Sequence, residues 1–370
     1  MDYLKSYTVR GKTMQFPVYL PDATRAVARS VDGADLHAVG IEAVVVNTYH
    51  LMHTPGTTVI EQAGGVKRFM DWDGFVVSDS GGFQVLSLIY ETSLNGKITD
   101  EGVAFYESTK KHTKTLFTPE KSVQIQFGLG ADIVICLDDC PDMHATKEES
   151  ELSVKRTIEW AKRSKEEFER QVASRKLTVN DRPILLAVVQ GGSDKRLREQ
   201  CAQALRDIGF DAYGFGGWPM NPDTQKLDKD ILQFTASCMP DDKPKFALGV
   251  GTPQDIVDGF MMGYSIFDCV LPTRDARHQR LYVFPKDPGS IDWKAGEKVF
   301  EYLHLEKERY TRDFSRISGW CDCPTCTRYS RAYLHHLFQI EETLAFRLAT
   351  MHNLRTYTKT IGLLRKSLAA

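Results

Sequence analysis

Residues 265–274 read Ser-Ile-Phe-Asp-Cys-Val-Leu-Pro-Thr-Arg, and Asp268 is out of keeping with its neighbours. Ile266, Phe267, Cys269, Val270 and Leu271 form the apolar run of a buried strand, which Pro272 is expected to stop. A carboxylate inside such a run costs several kcal/mol unless it has a partner or a task. Other apolar runs also end in polar or glycine residues. Asn47 follows Val44–Val46, Ser78-Asp79-Ser80 follows Phe75–Val77, and Asp138 and Asp139 follow Ile135–Leu137. Gln190-Gly191-Gly192 follows Val188-Val189, Gly216-Gly217 follows Tyr213–Phe215, and Gly249 and Gly251 flank Val250. One such carboxylate reads as the N-cap of a following helix. Asp79, Asp138 and Asp139 together with Gln190 read better as a polar site, with glycines that let backbone N–H groups come close to a ligand. A second constellation, Cys321-Asp322-Cys323-Pro324-Thr325-Cys326, has the C-x-C-x-x-C spacing of metal ligands. Zinc takes about four N or S donors, so one is still to be found among His335, His336 and His352.

The elements that must position these residues follow from the pattern. Eight apolar runs are expected as strands: Pro17–Leu20, Ala43–Val46, Phe75–Ser78, Ile133–Leu137, Ile184–Val189, Ala212–Phe215, Phe246–Val250 and Ile266–Leu271. Most are continuous rather than alternating, as in parallel sheets buried on both faces. Helical stretches with clear boundaries separate them. Thr118-Pro119 and Thr252-Pro253 each pair an N-cap threonine with a proline in the first turn, and Gly263 closes the second helix. Strands and helices alternating over the first three-quarters of the chain predict an α/β fold, a (β/α)8 barrel; a doubly wound open sheet is the alternative. In a barrel all eight strand ends meet on one face, where ligands bind.

The chain has 370 residues, 42% hydrophobic and 26% charged, which is globular composition. The first residues show no apolar segment of a secretory signal, and no apolar run is long enough to span a membrane. Cys136, Cys140, Cys201, Cys238 and Cys269 stand apart from one another, as free thiols do. A cytoplasmic protein is expected. Net charge is −2, unevenly spread: residues 271–370 hold 17 Lys/Arg against 11 Asp/Glu and five of the ten histidines. A basic C-terminal part suits a polyanion, and equally a solvated helical surface.

Taken together, these motifs resemble those of the tRNA-guanine transglycosylases (the queuine tRNA-ribosyltransferase family). The resemblance rests on Asn47-Thr48-Tyr49-His50-Leu51, on Ser78-Asp79-Ser80-Gly81-Gly82-Phe83-Gln84-Val85, and on Leu129-Gly130-Ala131-Asp132-Ile133. It continues through Val189-Gln190-Gly191-Gly192, Gly249-Val250-Gly251-Thr252-Pro253, Phe267–Arg274, the cysteine cluster and Tyr329–His336. It implies a barrel with a zinc-binding insertion near its C-terminal end: residues 1–300 as catalytic core, 301–355 as zinc subdomain, and 356–370 as a helix returning to the barrel. It implies a homodimer, and a structural zinc held by Cys321, Cys323, Cys326 and His352, with His335 and His336 left on the helix surface or facing RNA. The implied activity replaces guanine at the wobble position of GUN-anticodon tRNA with a 7-deazaguanine base. Asp268 matches the nucleophile that forms a covalent ribosyl-enzyme and Asp79 the general acid/base. Asp138 matches the acceptor for the N1–H and N2–H2 donors of the base, with Cys140 beside it, while Asp139 is expected to cap or support the site rather than touch the base. Gln190 and the Gly217 N–H suit the O6 carbonyl, Phe83 the purine face, and Arg274 and Arg277 the RNA.

This chain departs from the family pattern after its strand-six glycines, where it reads Trp218-Pro219-Met220-Asn221-Pro222. Trp218 alters the pocket wall, and Pro222 has no N–H to offer a C7 substituent. The incoming base is therefore open between 7-aminomethyl-7-deazaguanine, its 7-cyano precursor and queuine. Pro21-Asp22-Ala23-Thr24 and His278-Gln279 also replace family residues, which leaves DNA open as the polynucleotide. Two further readings compete. A non-catalytic RNA-binding subunit would be favoured by loss of Asp79 or Asp268, and both are present. A zinc hydrolase needs an open metal position that the clustered cysteines do not leave.

Overall fold

A computed structural model describes residues 3–84, 96–106, 114–221, 224 and 226–368 of the chain. Val85 and Pro222, both singled out above, lie outside the described residues. Eight parallel strands make the central sheet: β1 (Val18–Pro21), β2 (Ala43–Val46), β3 (Phe75–Ser78), β4 (Ile133–Ile135), β5 (Ile184–Val189), β6 (Ala212–Phe215), β7 (Lys245–Ala247) and β8 (Ile266–Cys269). Each pairs with the next in sequence, and β8 returns to β1 with Asp268 opposite Leu20. Between β1 and β2 the sheet closes through a bridge from Asp22 to Val45, where the Ala23 N–H donates to the Val45 carbonyl at 2.7 Å. The expected barrel is what forms, and the open-sheet alternative falls with its closure.

The continuous apolar runs are explained by burial on two sides. On β2, Ala43 and Val45 join the cluster along the barrel axis while Val44 and Val46 face the surrounding helices. The hairpin Ser6–Val9/Lys12–Gln15 sends Val9 and Met14, followed by Phe16, into the axial cluster. The two capped helices form as predicted, over Pro119–Leu129 and Pro253–Met261, with Thr118 and Thr252 accepting from the N–H groups of Lys121 and Asp255.

Three strands stop earlier than expected, at Ile135, Ala247 and Cys269. The apolar residues beyond them leave the sheet to build the mouth of the barrel. Pro272 is not a strand stop but belongs to the first turn of a helix, Leu271–Arg277.

Beyond β8 a hairpin (Arg280–Val283/Glu301–His304) and helices Pro324–Arg328 and Arg331–Gln339 gather a second core around Leu281, Leu303, Leu305, Ile317, Leu334 and Leu337. The last helix, Thr343–Ser367, packs Ala345 and Leu348 into that core and Leu354, Tyr357, Ile361 and Leu364 onto the barrel. Arg365 ties its far end to Glu42 and to the carbonyls of Gln15 and Pro17. No described helix is long and apolar enough to cross a membrane.

Candidate active site and metal centre

Side chains alternate faces along a strand. If Leu20, Val45, Val77, Val188 and Ile266 point to the axis, the next inward positions are Asp22, Asn47, Asp79, Gln190 and Asp268. The mouth is thus ringed by polar groups because each strand runs one inward residue past the apolar core.

Asp79 sits at the end of β3 and is held on both oxygens. Oδ1 accepts from the backbone N–H of Thr48 (2.9 Å) and Gly81 (3.0 Å), and Oδ2 from Asn47 Nδ2 (2.6 Å). Burial pushes its carboxyl up to about 7 against those hydrogen bonds, and the charges of Asp268 and Asp22 add to the rise. Asp268 is partly accessible from the mouth, unlike its buried strand neighbours, and Oδ1 accepts from the Gly249 N–H at 2.8 Å. Its carboxyl is likewise pushed up to about 7, by burial first and by Asp22 second.

A second group lies beside them. Gln190, fully buried, donates from Nε2 to Asp138 Oδ2 at 2.7 Å. Its Oε1 has no hydrogen-bond partner among the described residues. Burial raises the Asp138 carboxyl to about 6, with Asp139 adding to the rise and Gln190 opposing it. Cys140 is buried next to this group, and burial pushes its thiol up. At residue 216 a Cβ would meet Val188 Cγ1 at 2.5 Å and Gln190 Nε2 at 2.6 Å, and Gly217 holds φ +95°, so both positions need glycine. Phe83, 50% exposed, and Trp218, 39% exposed, meet edge to face at 5.5 Å over the same mouth.

Arg274 and Arg277 lie on the helix that follows β8, close enough to each other to interact. Asp139 is placed in a supporting position: it is buried, pairs with Arg156 at 3.2 Å, and its N–H donates to the Thr157 hydroxyl.

Sequence reasoning missed several contributors. Arg198 is buried without a carboxylate partner among the described residues. It donates to the carbonyls of Val189 (2.9 Å) and Gly192 (2.8 Å) and stacks on Phe215, pinning the turn that carries Gln190. Arg25 and Arg29, exposed on the loop after β1, reach the same rim: Arg25 acts on His50 and Arg29 on Arg277. Counting alternate residues onward from Leu20 would have found Asp22. Nothing local marks Arg198.

The donor atoms of Cys321, Cys323, Cys326 and His352 lie within 4.8 Å of one another, all in buried residues. His352 Nδ1 faces Cys326 Sγ at 3.1 Å, and Nε2 lies 2.7 Å from the Tyr282 carbonyl. Donation from Nε2 to that carbonyl fixes the tautomer that frees Nδ1 for a metal. Three soft sulfurs and one imidazole, closed on all sides, suit one metal ion. His335 is not on the surface as expected: it is buried, with Nδ1 2.7 Å from the Leu305 carbonyl. His336 is exposed.

A parallel eight-stranded barrel with carboxylates at its mouth and a buried Cys3His cluster beyond its last strand defines a class of barrel enzymes with a cluster suited to one metal ion. The chain belongs to the queuine tRNA-ribosyltransferase family, whose model matches residues 4–370. It is 39% identical over 355 residues to the queuine tRNA-ribosyltransferase of Caldanaerobacter subterraneus subsp. tengcongensis, covering 96% of this chain and 87% of that protein. The protein of the same name from Aliivibrio fischeri is 36% identical over 356 residues, with the same coverage. That from Idiomarina loihiensis is 38% identical over 358 residues, covering 97% and 88%.

Proposed function

We propose that the protein is a tRNA-guanine transglycosylase, a pentosyltransferase that replaces guanine at the wobble position of GUN-anticodon tRNA with a 7-deazaguanine base. The observation that carries this reading is the pair of carboxylates, Asp79 and Asp268, on one barrel mouth beside a pocket built from Asp138 and Gln190.

Asp268, the nucleophile, attacks C1′ of the flipped-out nucleotide. The C1′–N9 bond breaks, its electron pair leaves with guanine, and Asp79 supplies the proton that neutralises the departing base. Asp79 then takes the N9 proton of the incoming base, whose nitrogen attacks C1′ and releases Asp268. Two inversions give net retention, as in retaining glycosidases. Asp138 accepts from N1–H and N2–H2 of the base. The remaining Nε2 hydrogen of Gln190 and the Gly217 N–H serve O6, and Phe83 and Trp218 cover the ring. O6 and a C7 substituent share one edge of the base. That edge directs the substituent past Gly217, where a cavity of about 100 Å3 is lined by Gln190, Gly192, Trp218 and Met220.

Cys321, Cys323, Cys326 and His352 would hold one zinc ion, whose contribution is to join the 321–326 loop to the last helix, since four donors complete its shell. We assign residues 1–300 to the catalytic core, 301–355 to the zinc subdomain and 356–370 to the return onto the barrel; the packing of Tyr357, Ile361 and Leu364 supports the last. A homodimer working in the cytoplasm completes the reading, with the exposed Trp320 and Tyr333 of the zinc subdomain as candidate contact residues.

Mass spectrometry of nucleosides tests the proposal. Unmodified tRNA is incubated with the protein and a mixture of 7-aminomethyl-7-deazaguanine, 7-cyano-7-deazaguanine and queuine. One of them is expected in the tRNA, and none with Asp268→Asn. A folded, metal-loaded protein that inserts no base would count against the activity, and insertion by Asp268→Asn against the nucleophile.

A further inference from the structure

We infer that Asp22 is a specificity-determining residue that accepts a hydrogen bond from the ribose 2′-hydroxyl of the target nucleotide, and so selects RNA over DNA. This rests on the reading of Asp268 as the nucleophile.

β1 lies beside β8, and Leu20 is directly opposite Asp268. Asp22 is two residues further along β1, on the same inward face, hence about 6–7 Å nearer the mouth and one strand across. A sugar whose C1′ is attacked from below by Asp268 lies at that level. Its 2′-hydroxyl, on the carbon next to C1′, is the sugar donor nearest the reacting bond. A carboxylate there is the matching acceptor.

The surroundings point to the same ligand. Arg25 and Arg29, on the loop that Asp22 opens, and Arg274 and Arg277, on the helix after β8, form no ion pair with any carboxylate among the described residues. Asp22 opens the loop that carries the first set, and its charge reaches Arg277 of the second as well as Asp79 and Asp268. One carboxylate set among unpaired arginines fits a sugar between its phosphates.

The bland role for Asp22 is to shape its own turn. Oδ1 does accept from the Thr24 N–H at 3.0 Å and from the Thr24 hydroxyl. Asn, Ser or Thr would serve such a turn without adding a third negative charge beside two catalytic carboxylates. Oδ2 has no hydrogen-bond partner among the described residues. In glycosyl transfer the hydrogen bond to the hydroxyl next to the reacting carbon strengthens in the transition state, and on RNA this hydroxyl is the mark that DNA lacks.

The test compares two stem-loops, identical except for ribose or 2′-deoxyribose at the target guanosine, through the ratio of their kcat/KM values. Wild type is expected to favour the ribose strand. Asp22→Ala is expected to lower the ratio by about tenfold or more, while any change it makes to the Asp79 and Asp268 carboxyls falls on both strands and cancels in the ratio. Because the ratio is internal to each variant, partial loss of folded protein cancels. Asp22→Asn, which keeps an oxygen for Thr24, is expected to shift it in the same direction. A ratio unchanged from wild type in both variants, or a wild type that does not distinguish the strands, would overturn the inference. Exchange activity retained by Asp268→Asn would instead overturn the nucleophile assignment on which it rests.

Discussion

At the scale of single residues, the proposed chemistry uses carboxyls kept away from their usual acidity. Asp79 and Asp268 are both pushed up to about 7, by burial first and by neighbouring carboxylates second. A nucleophile must be ionised and a proton donor protonated, and two groups near 7 allow both only in a narrow range. The kcat/KM profile is therefore expected to fall on both sides of about pH 7, with apparent values that belong to the pair. A flat profile down to pH 5 would show that the nucleophile is not desolvated. The same shifts cost stability. The folded chain holds protons that the unfolded chain releases between about pH 4 and pH 7, so stability falls as pH rises through that window. Asp268→Asn is expected to melt a few degrees above wild type at pH 8 and level with it near pH 4. Calorimetry at the two pH values checks the sign.

At the scale of elements, each strand delivers its last inward residue to the mouth and each following turn secures it. Asn47 caps a helical turn through its Oδ1 while its Nδ2 holds Asp79, so β2 and its helix position a group carried by β3. The Cys3His cluster does the same work further out, joining the loop before Pro324–Arg328 to the long helix Thr343–Ser367. Cys323→Ser is expected to drop the metal content from about one per chain toward zero and to lower the melting temperature. The base chosen for insertion should not change. Elemental analysis together with the nucleoside assay separates these effects, and an unchanged metal content would remove Cys323 from the ligand set.

At the scale of the molecule, a net charge of −2 does not attract a polyanion, so RNA binding must rest on local charge. Arg25 and Arg29 from one side of the mouth and Arg274 and Arg277 from the other are the proposed source. The double variant Arg25→Ala/Arg29→Ala is expected to weaken tRNA binding and to lower the slope of log K against log salt by about two. Titrations at several salt concentrations measure it. An unchanged slope would mean that these two arginines do not touch phosphate.

The sequence by itself determined the layers, because continuous apolar runs alternating with helices suit parallel strands buried on two faces, and Thr-Pro pairs mark where the helices begin; closure into a barrel was decided by the tertiary structure. It also singled out residues that local context cannot explain: Asp268 inside an apolar run, Asp79 at a strand end, and three cysteines within six residues. Tertiary structure alone decided which distant residues serve them. Only barrel closure brings Asp22 next to Asp268, across 246 residues of chain, since β1 and β8 are the first and last strands to be made. Only the seating of Thr343–Ser367 buries His352 against the cysteines while His335 turns to Leu305. Arg198 looks like any surface arginine until its helix packs and finds two carbonyls in need of a donor. Strand pattern is a local property that each segment carries in its own residues. Partnership across the barrel mouth is set by closure, which no single segment contains.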